Sequence, residues 1–191
     1  MSIYAMSSPN IRQVNEKNRQ QAGLSLIEIS VVSAIILLIA IVSIPAINSF
    51  IIESRVPKVG EGIARFVVNH SVNTPLYETE PYEGVDNQLF AQQLESAGVF
   101  NIMGTGSNLQ ILHGLGRQGT LQITGGENLT ITLSNVHHAA CPGLSSVLQR
   151  LADSIRVGTE TVKSGEKGDN ATFAQKQCQK GELNTFEFVI S

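Results

Sequence analysis

Residues 23–52 form an apolar run broken by one carboxylate, Glu28, almost at its start. A helix of about thirty residues at ~1.5 Å rise per residue is roughly 45 Å long, enough to cross a bilayer core of ~30 Å. A charged side chain inside such a helix is costly, so Glu28 is by default a functional residue in need of a partner. The plainer reading is an ordinary signal anchor whose Glu28 lies among the headgroups. What flanks Glu28 weighs against it.

Gly23 stands immediately before the run, after a polar stretch that contains Lys17 and Arg19. A secretory signal peptide is built the other way, with a shorter apolar region followed by a small-residue cleavage site. Here a cut after the small residue leaves the hydrophobic helix on the mature chain. The string Gly23-Leu24-Ser25-Leu26-Ile27-Glu28 resembles the prepilin peptidase site of type IV pilins and related pseudopilins. That resemblance implies that residues 1–23 are a leader and that Gly23 ends it. Leu24 then becomes the N-methylated N-terminus, and Glu28 is the acidic residue at the fifth mature position. The motif covers the leader and first helix, under a third of the chain. A 23-residue leader, Leu at the first mature position and 168 remaining residues of 191 are more like type IVb than type IVa.

Composition fits this frame. Residues 24–52 read as the transmembrane and assembly half of the helix. Residues 53–191 are enough for one compact domain and too few for two of ordinary size. The chain carries 13 Lys and Arg against 16 Asp and Glu; removing Arg12, Lys17, Arg19 and Glu16 with the leader leaves 10 against 15. That balance argues against a basic nucleic-acid surface, and the absence of Trp argues against a stacking platform for bases.

Cys141 and Cys178 are the chain's two cysteines. In a chain with an export signal such a pair is most simply a disulfide, because the periplasm is oxidising. The alternative is two unpaired buried thiols. The resemblance points to a bridge, since type IV pilins commonly carry one that bounds a variable, exposed C-terminal segment.

Beyond the membrane segment the first helix is expected to continue. Val56, Val59, Ile63, Phe66 and Val67 recur at helical spacing, although Gly60 and Gly62 weaken the pattern and Pro45 and Pro57 favour kinks. Residues 71–84 read as an acidic, proline-containing loop. Asp86 is placed to cap a short helix over 86–97 that buries Leu89, Phe90 and Leu94, with Gly98 just past its end. Alternating residues predict strands at 108–113, 120–124 and 129–134, with Gly125-Gly126 joining the last two as a hairpin. A helix after Cys141 is predicted from Leu144, Val147, Leu148, Leu151 and Ile155. The last strand is expected at Thr185 to Ile190. The fold class is therefore α+β: by resemblance a pilin fold, with a long N-terminal helix packed on an antiparallel sheet and a disulfide-bounded C-terminal region.

Several apparent chemical motifs carry little. Gly114, Gly116 and Gly119 match the dinucleotide spacing, but a strand-like segment follows where the phosphate loop needs a helix. His137 and His138 are adjacent and would face opposite ways in a strand, which is poor geometry for a metal. Ser145 and Ser146 lie in no nucleophile elbow. Asn128 and Asn170 begin glycosylation-type triplets, a pattern frequent by chance. Asp169 and Glu78, Glu80 and Glu83 are too scattered for a calcium loop. No catalytic group, cofactor or metal site is expected.

The resemblance implies a structural subunit rather than an enzyme. Such a protein is inserted in the bacterial inner membrane, cut by prepilin peptidase, and polymerised with itself into an extracellular pilus (fimbrium). An assembly platform and its ATPase act as partners. Adhesion, motility, DNA uptake and conjugative mating all use this architecture. Two other readings remain: a type II secretion pseudopilin, and a membrane-anchored periplasmic binding protein or enzyme with an uncleaved anchor.

Overall fold

The computed structural model describes residues 25–74, 79–94, 98–165 and 171–191. Two compact units emerge, one ending at Ile41 and the other spanning Val42–Ser191. Helix α1, Leu26–Asn73, contributes to both. In the first unit the described residues are mostly apolar, helical from Leu26 onward and almost all exposed.

In the second unit α1 supplies one wall of the core. Ile52, Val56, Val59, Ile63, Phe66 and Val67 are buried at helical spacing and join one hydrophobic cluster with the sheet. The helix runs unbroken past Pro45 and Pro57 and takes in Ser71–Asn73, the first part of the expected acidic loop. Gly60 and Gly62, expected to weaken it, are contact points instead. A Cβ on Gly60 would lie 2.1 Å from the Val147 side chain, and one on Gly62 2.6 Å from the Phe100 ring. Conversely, Gly143 faces Val56, so each of two crossing helices offers a glycine to a valine of the other. Glycine costs a helix about 1 kcal/mol, which close packing offsets at these positions.

Asp86 caps α2, Asn87–Leu94, as expected: its Oδ1 accepts from the Leu89 amide at 2.9 Å. Phe90 of this helix meets Phe66 and Phe100 edge-on, at 4.9 and 5.1 Å between ring centroids. Residues 95–97, the end of the expected helix, lie outside the described residues.

One antiparallel sheet follows. Its strands are β1 (Asn101–Met103), β2 (Gln110–Leu112), β3 (Thr120–Thr124), β4 (Leu129–Val136), β5 (Ser154–Val157), β6 (Glu160–Ser164) and β7 (Asn184–Ile190). The order is β1-β2-β3-β4-β7-β5-β6, so the last strand inserts between β4 and β5. Register places Ile123, Ile131, Phe188 and Ile155 in one cross-strand row, and Ile111, Leu121, Leu133, Phe186 and Val157 in the next. All nine are buried, while Thr130, Thr132 and Glu187 alternate to the other face. The β3–β4 hairpin turns at Gly125-Gly126 as expected.

Helix α3, Cys141–Leu148, stops short of the length its spacing predicts. Leu151 lies in a turn, and Ile155 pairs with Phe188 in the sheet. Lys163 donates to the carbonyls of Gln149 and Ala152, closing the turns that follow the helix. The β5–β6 hairpin, unforeseen from the sequence, turns on Gly158 at φ +61° with Val157 opposite Glu160. A further helix, α4, spans Ala171–Gln177.

Candidate functional site

Glu28 lies in the first turn of α1, where Ile29 donates to the Ser25 carbonyl at 3.1 Å. Unpaired amides and the positive end of the helix dipole favour a carboxylate there. The hydroxyls of Ser30 and Ser33 bond the carbonyls of Ile27 and Ile29, both at 2.8 Å, so their polarity is absorbed within the helix. Glu28 has no such outlet, and among the described residues it forms no ion pair. Around it the apolar side chains stand uncovered, with Leu26 86% and Leu37 62% exposed, and no residue from Leu26 to Ile51 is buried. The expected cleavage pair, Gly23 and Leu24, lies outside the described residues.

Cys141 and Cys178 are bridged, with Cα atoms 6.4 Å apart. Cys141 opens α3 and is fully buried; Cys178 follows α4 and is partly buried against the same core. The bridge thus fastens α4 to α3. A second tie lies beside it, where the Asn184 amide donates to the carbonyls of Val136 (3.0 Å) and Gln179 (2.9 Å).

No family model and no curated protein matches the chain. Solved structures do. The type IVb pilin from Salmonella typhi matches with a TM-score of 0.50 at 16% identity, covering 69% of this chain and 95% of its own. The chain has the pilin fold. TcpA, a type IV pilin from the Vibrio cholerae El Tor biotype, matches with a TM-score of 0.40 at 13% identity, covering 73% of this chain and 99% of its own.

The motifs set aside in the sequence have structural roles in this pilin fold. Gly114–Gly119 links β2 to β3; a Cβ on Gly116 would strike the Asn135 carbonyl at 2.1 Å, and one on Gly119 the His113 ring at 2.2 Å. His137 and His138 do not face opposite ways. They enter a 3-10 turn with ring centroids 4.3 Å apart. Each imidazole accepts a backbone amide, from Ala139 and Gly181 respectively. Ser145 is buried with its hydroxyl unpaired, and Ser146 bonds the Pro142 carbonyl at 2.9 Å.

His113, which sequence reasoning missed, is fully buried. Its Nδ1 accepts from the Leu115 amide at 3.0 Å, and its Nε2 then donates to the Ser134 carbonyl at 2.9 Å. Burial pushes its pKa below the usual imidazole value, and burial does the same to His137. The folded state therefore holds fewer protons than the unfolded chain. Their contribution to stability is complete above an unfolded pKa of about 6.5 and is lost as the pH falls through it toward the lower folded values. The denaturant midpoint is expected to drop between pH 7.5 and pH 5, with a shallower drop in His113→Gln. Equal slopes in the two proteins would show that His113 does not carry the effect.

The described pilin fold also holds an open cleft of about 710 Å³ between α1 and the loops around 98–101 and 114–117. Arg55, Lys58 and Arg65 line it from α1 and Arg117 from the opposite loop. Residues 66–116 hold no Lys or Arg, and nothing local in the sequence marks that the cations on either side of them meet.

Proposed function

We propose that this protein is the structural subunit of a type IV pilus. It is made as an inner-membrane precursor, cut between Gly23 and Leu24 by prepilin peptidase, methylated at the new amine, and polymerised with itself by a membrane platform and ATPase. The carrying observation is the combination of a pilin fold, shared with a protein named a type IVb pilin, with an apolar helical stretch left uncovered. Adhesion, motility, DNA uptake or conjugative mating is the work of the finished filament.

The physical logic runs through Glu28. In a dry bundle of identical helices an unpaired carboxylate is expensive and a matched ion pair far less so. The amine freed at Leu24 of one subunit supplies the partner for Glu28 of a neighbour. A subunit then joins at the depth where its charge is matched. Lipid tails are as apolar as leucine, so transfer from bilayer to filament is driven by helix packing and charge pairing, not by further removal from water.

Intact mass and N-terminal sequencing of protein purified from the envelope test this reading. The expected chain starts at Leu24 and carries one methyl group. A chain starting at Met1, or beyond residue 40, would overturn it.

A further inference from the structure

The charges of this chain are sorted along its length. Between Arg65 and Arg117 there is no Lys or Arg, while Glu78, Glu80, Glu83, Asp86 and Glu95 fall within that stretch. The cations at its two borders meet in the fold: Arg65 on α1 and Arg117 on the β2–β3 loop face one cleft, with Arg55 and Lys58 beside them. Among the described residues four cations line this cleft, and one carboxylate, Glu61, does.

The cleft is a built feature. Arg55, Lys58, Gly62 and Arg65 lie three, four and three residues apart, on one face of α1. Gly62 admits the Phe100 ring and so brings the opposite loop close. Arg55 Nη1 bridges to the Gly114 carbonyl at 3.1 Å, and Arg65 pairs with Glu61 at 2.6 Å. Glu182 at the rim takes the Arg117 amide at 3.0 Å. Lys58 and the Arg117 guanidinium have no ion partner among the described residues.

The matching anion is held just as firmly. Residues 79–84 turn sharply, with the Glu83 amide on the Glu80 carbonyl at 3.1 Å. Buried Tyr82 anchors the turn, its amide on the Gly126 carbonyl at 3.0 Å and its ring stacked on His70. His70 in turn bonds the Pro81 carbonyl at 2.8 Å. Glu80 and Glu83 are left exposed on a fixed support, in no ion pair among the described residues. Along α1 the cleft's Lys58 and Arg65 lie twelve and five residues from His70, roughly 18 and 8 Å of helix rise. Among the described residues no ion pair joins Glu80 or Glu83 to a cation of the cleft, so the two complementary patches are left open to another copy. They suit a head-to-tail contact between copies, the kind that builds open helical polymers.

We infer that the acidic turn Glu80–Glu83 of one copy docks in the Arg55–Lys58–Arg65–Arg117 cleft of the next. The inference rests on the polymer reading above and adds to it a contact between globular domains. Charge matching of this kind sets register and disfavours wrong encounters more than it adds affinity.

A charge swap in the full-length chain tests it, read as filaments in the sheared surface fraction. Lys58→Glu alone, and Glu80→Lys with Glu83→Lys, are each expected to cut filaments about tenfold, with oxidised subunit at normal cellular levels. All three changes together should raise filaments severalfold above the turn variant, with part of the loss remaining because Arg55, Arg65 and Arg117 still face the new lysines. If Lys58→Glu does not accumulate, Arg117→Glu, in an exposed loop, takes its place. Losses that add up in the combined variant, or undiminished filaments in either single-sided variant, overturn the contact and leave the polymer reading standing. A wild-type chain that forms no filaments removes both.

Discussion

Glu28→Ala is expected to leave mature, disulfide-linked subunit at normal levels in the membrane and almost no filaments in the sheared surface fraction. The first buried residue of α1 is Ile52, so the domain core does not depend on the first turn. Ser30 and Ser33 bond within the helix, and replacing the carboxylate by a methyl group makes the segment more apolar. Retention in lipid should therefore be at least as good. The cost appears on assembly. Without the carboxylate, a neighbour's amine enters the bundle unpaired, and removing one partner of a buried ion pair costs roughly 3–5 kcal/mol. That is enough to lower a subunit's equilibrium constant for joining by about two to three and a half orders of magnitude. Glu28→Asp keeps the charge on a side chain one methylene shorter, so its loss should be smaller. Abundant filaments from Glu28→Ala would show that the carboxylate does not set register.

Periodicity was legible wherever one face of an element is buried and the other wet. The core stripe of α1 and the strands β3, β4 and β7 follow their apolar spacing because packing on a single core decides each of them. The same signal misled beyond Leu148. Leu151 and Ile155 continue a helical spacing by coincidence, and pairing of Ile155 with Phe188 decides the matter through a partner more than thirty residues away. The short strand β1 and the β5–β6 hairpin hold too few apolar residues to announce themselves. Gly60 and Gly62 read as weak points because their partners Val147 and Phe100 are visible only in three dimensions. Of the candidate site, the cysteine pair was legible from its setting, while the role of Glu28 stands as a proposal made from its placement. The basic cleft was not legible, since its cations come from both sides of a fifty-residue gap.

Cys141→Ser should cost the domain roughly 3–4 kcal/mol, by the chain-entropy estimate for cysteines 37 residues apart. Against a typical domain stability of about 5–15 kcal/mol this is a large fraction. At about 2–4 °C per kcal/mol for a domain of this size, the melting temperature should fall by about 6–16 °C. The damage should also be local. Strand β7 keeps its ladders to β4 and β5 and its Asn184 ties, whereas α4 is a seven-residue helix outside the sheet that packs on α3 and β6 around buried Ala174. Limited proteolysis of Cys141→Ser should therefore cut first between β6 and β7, in the segment the bridge restrains. Wild-type protein treated with reductant should show the same cuts. A melting temperature unchanged by reductant would mean that α4 is held by its packing alone and that the bridge adds no stability. Because Glu28→Ala is expected to keep this melting temperature and lose filaments, while Cys141→Ser loses the melting temperature first, the two substitutions separate assembly from folding in one experiment.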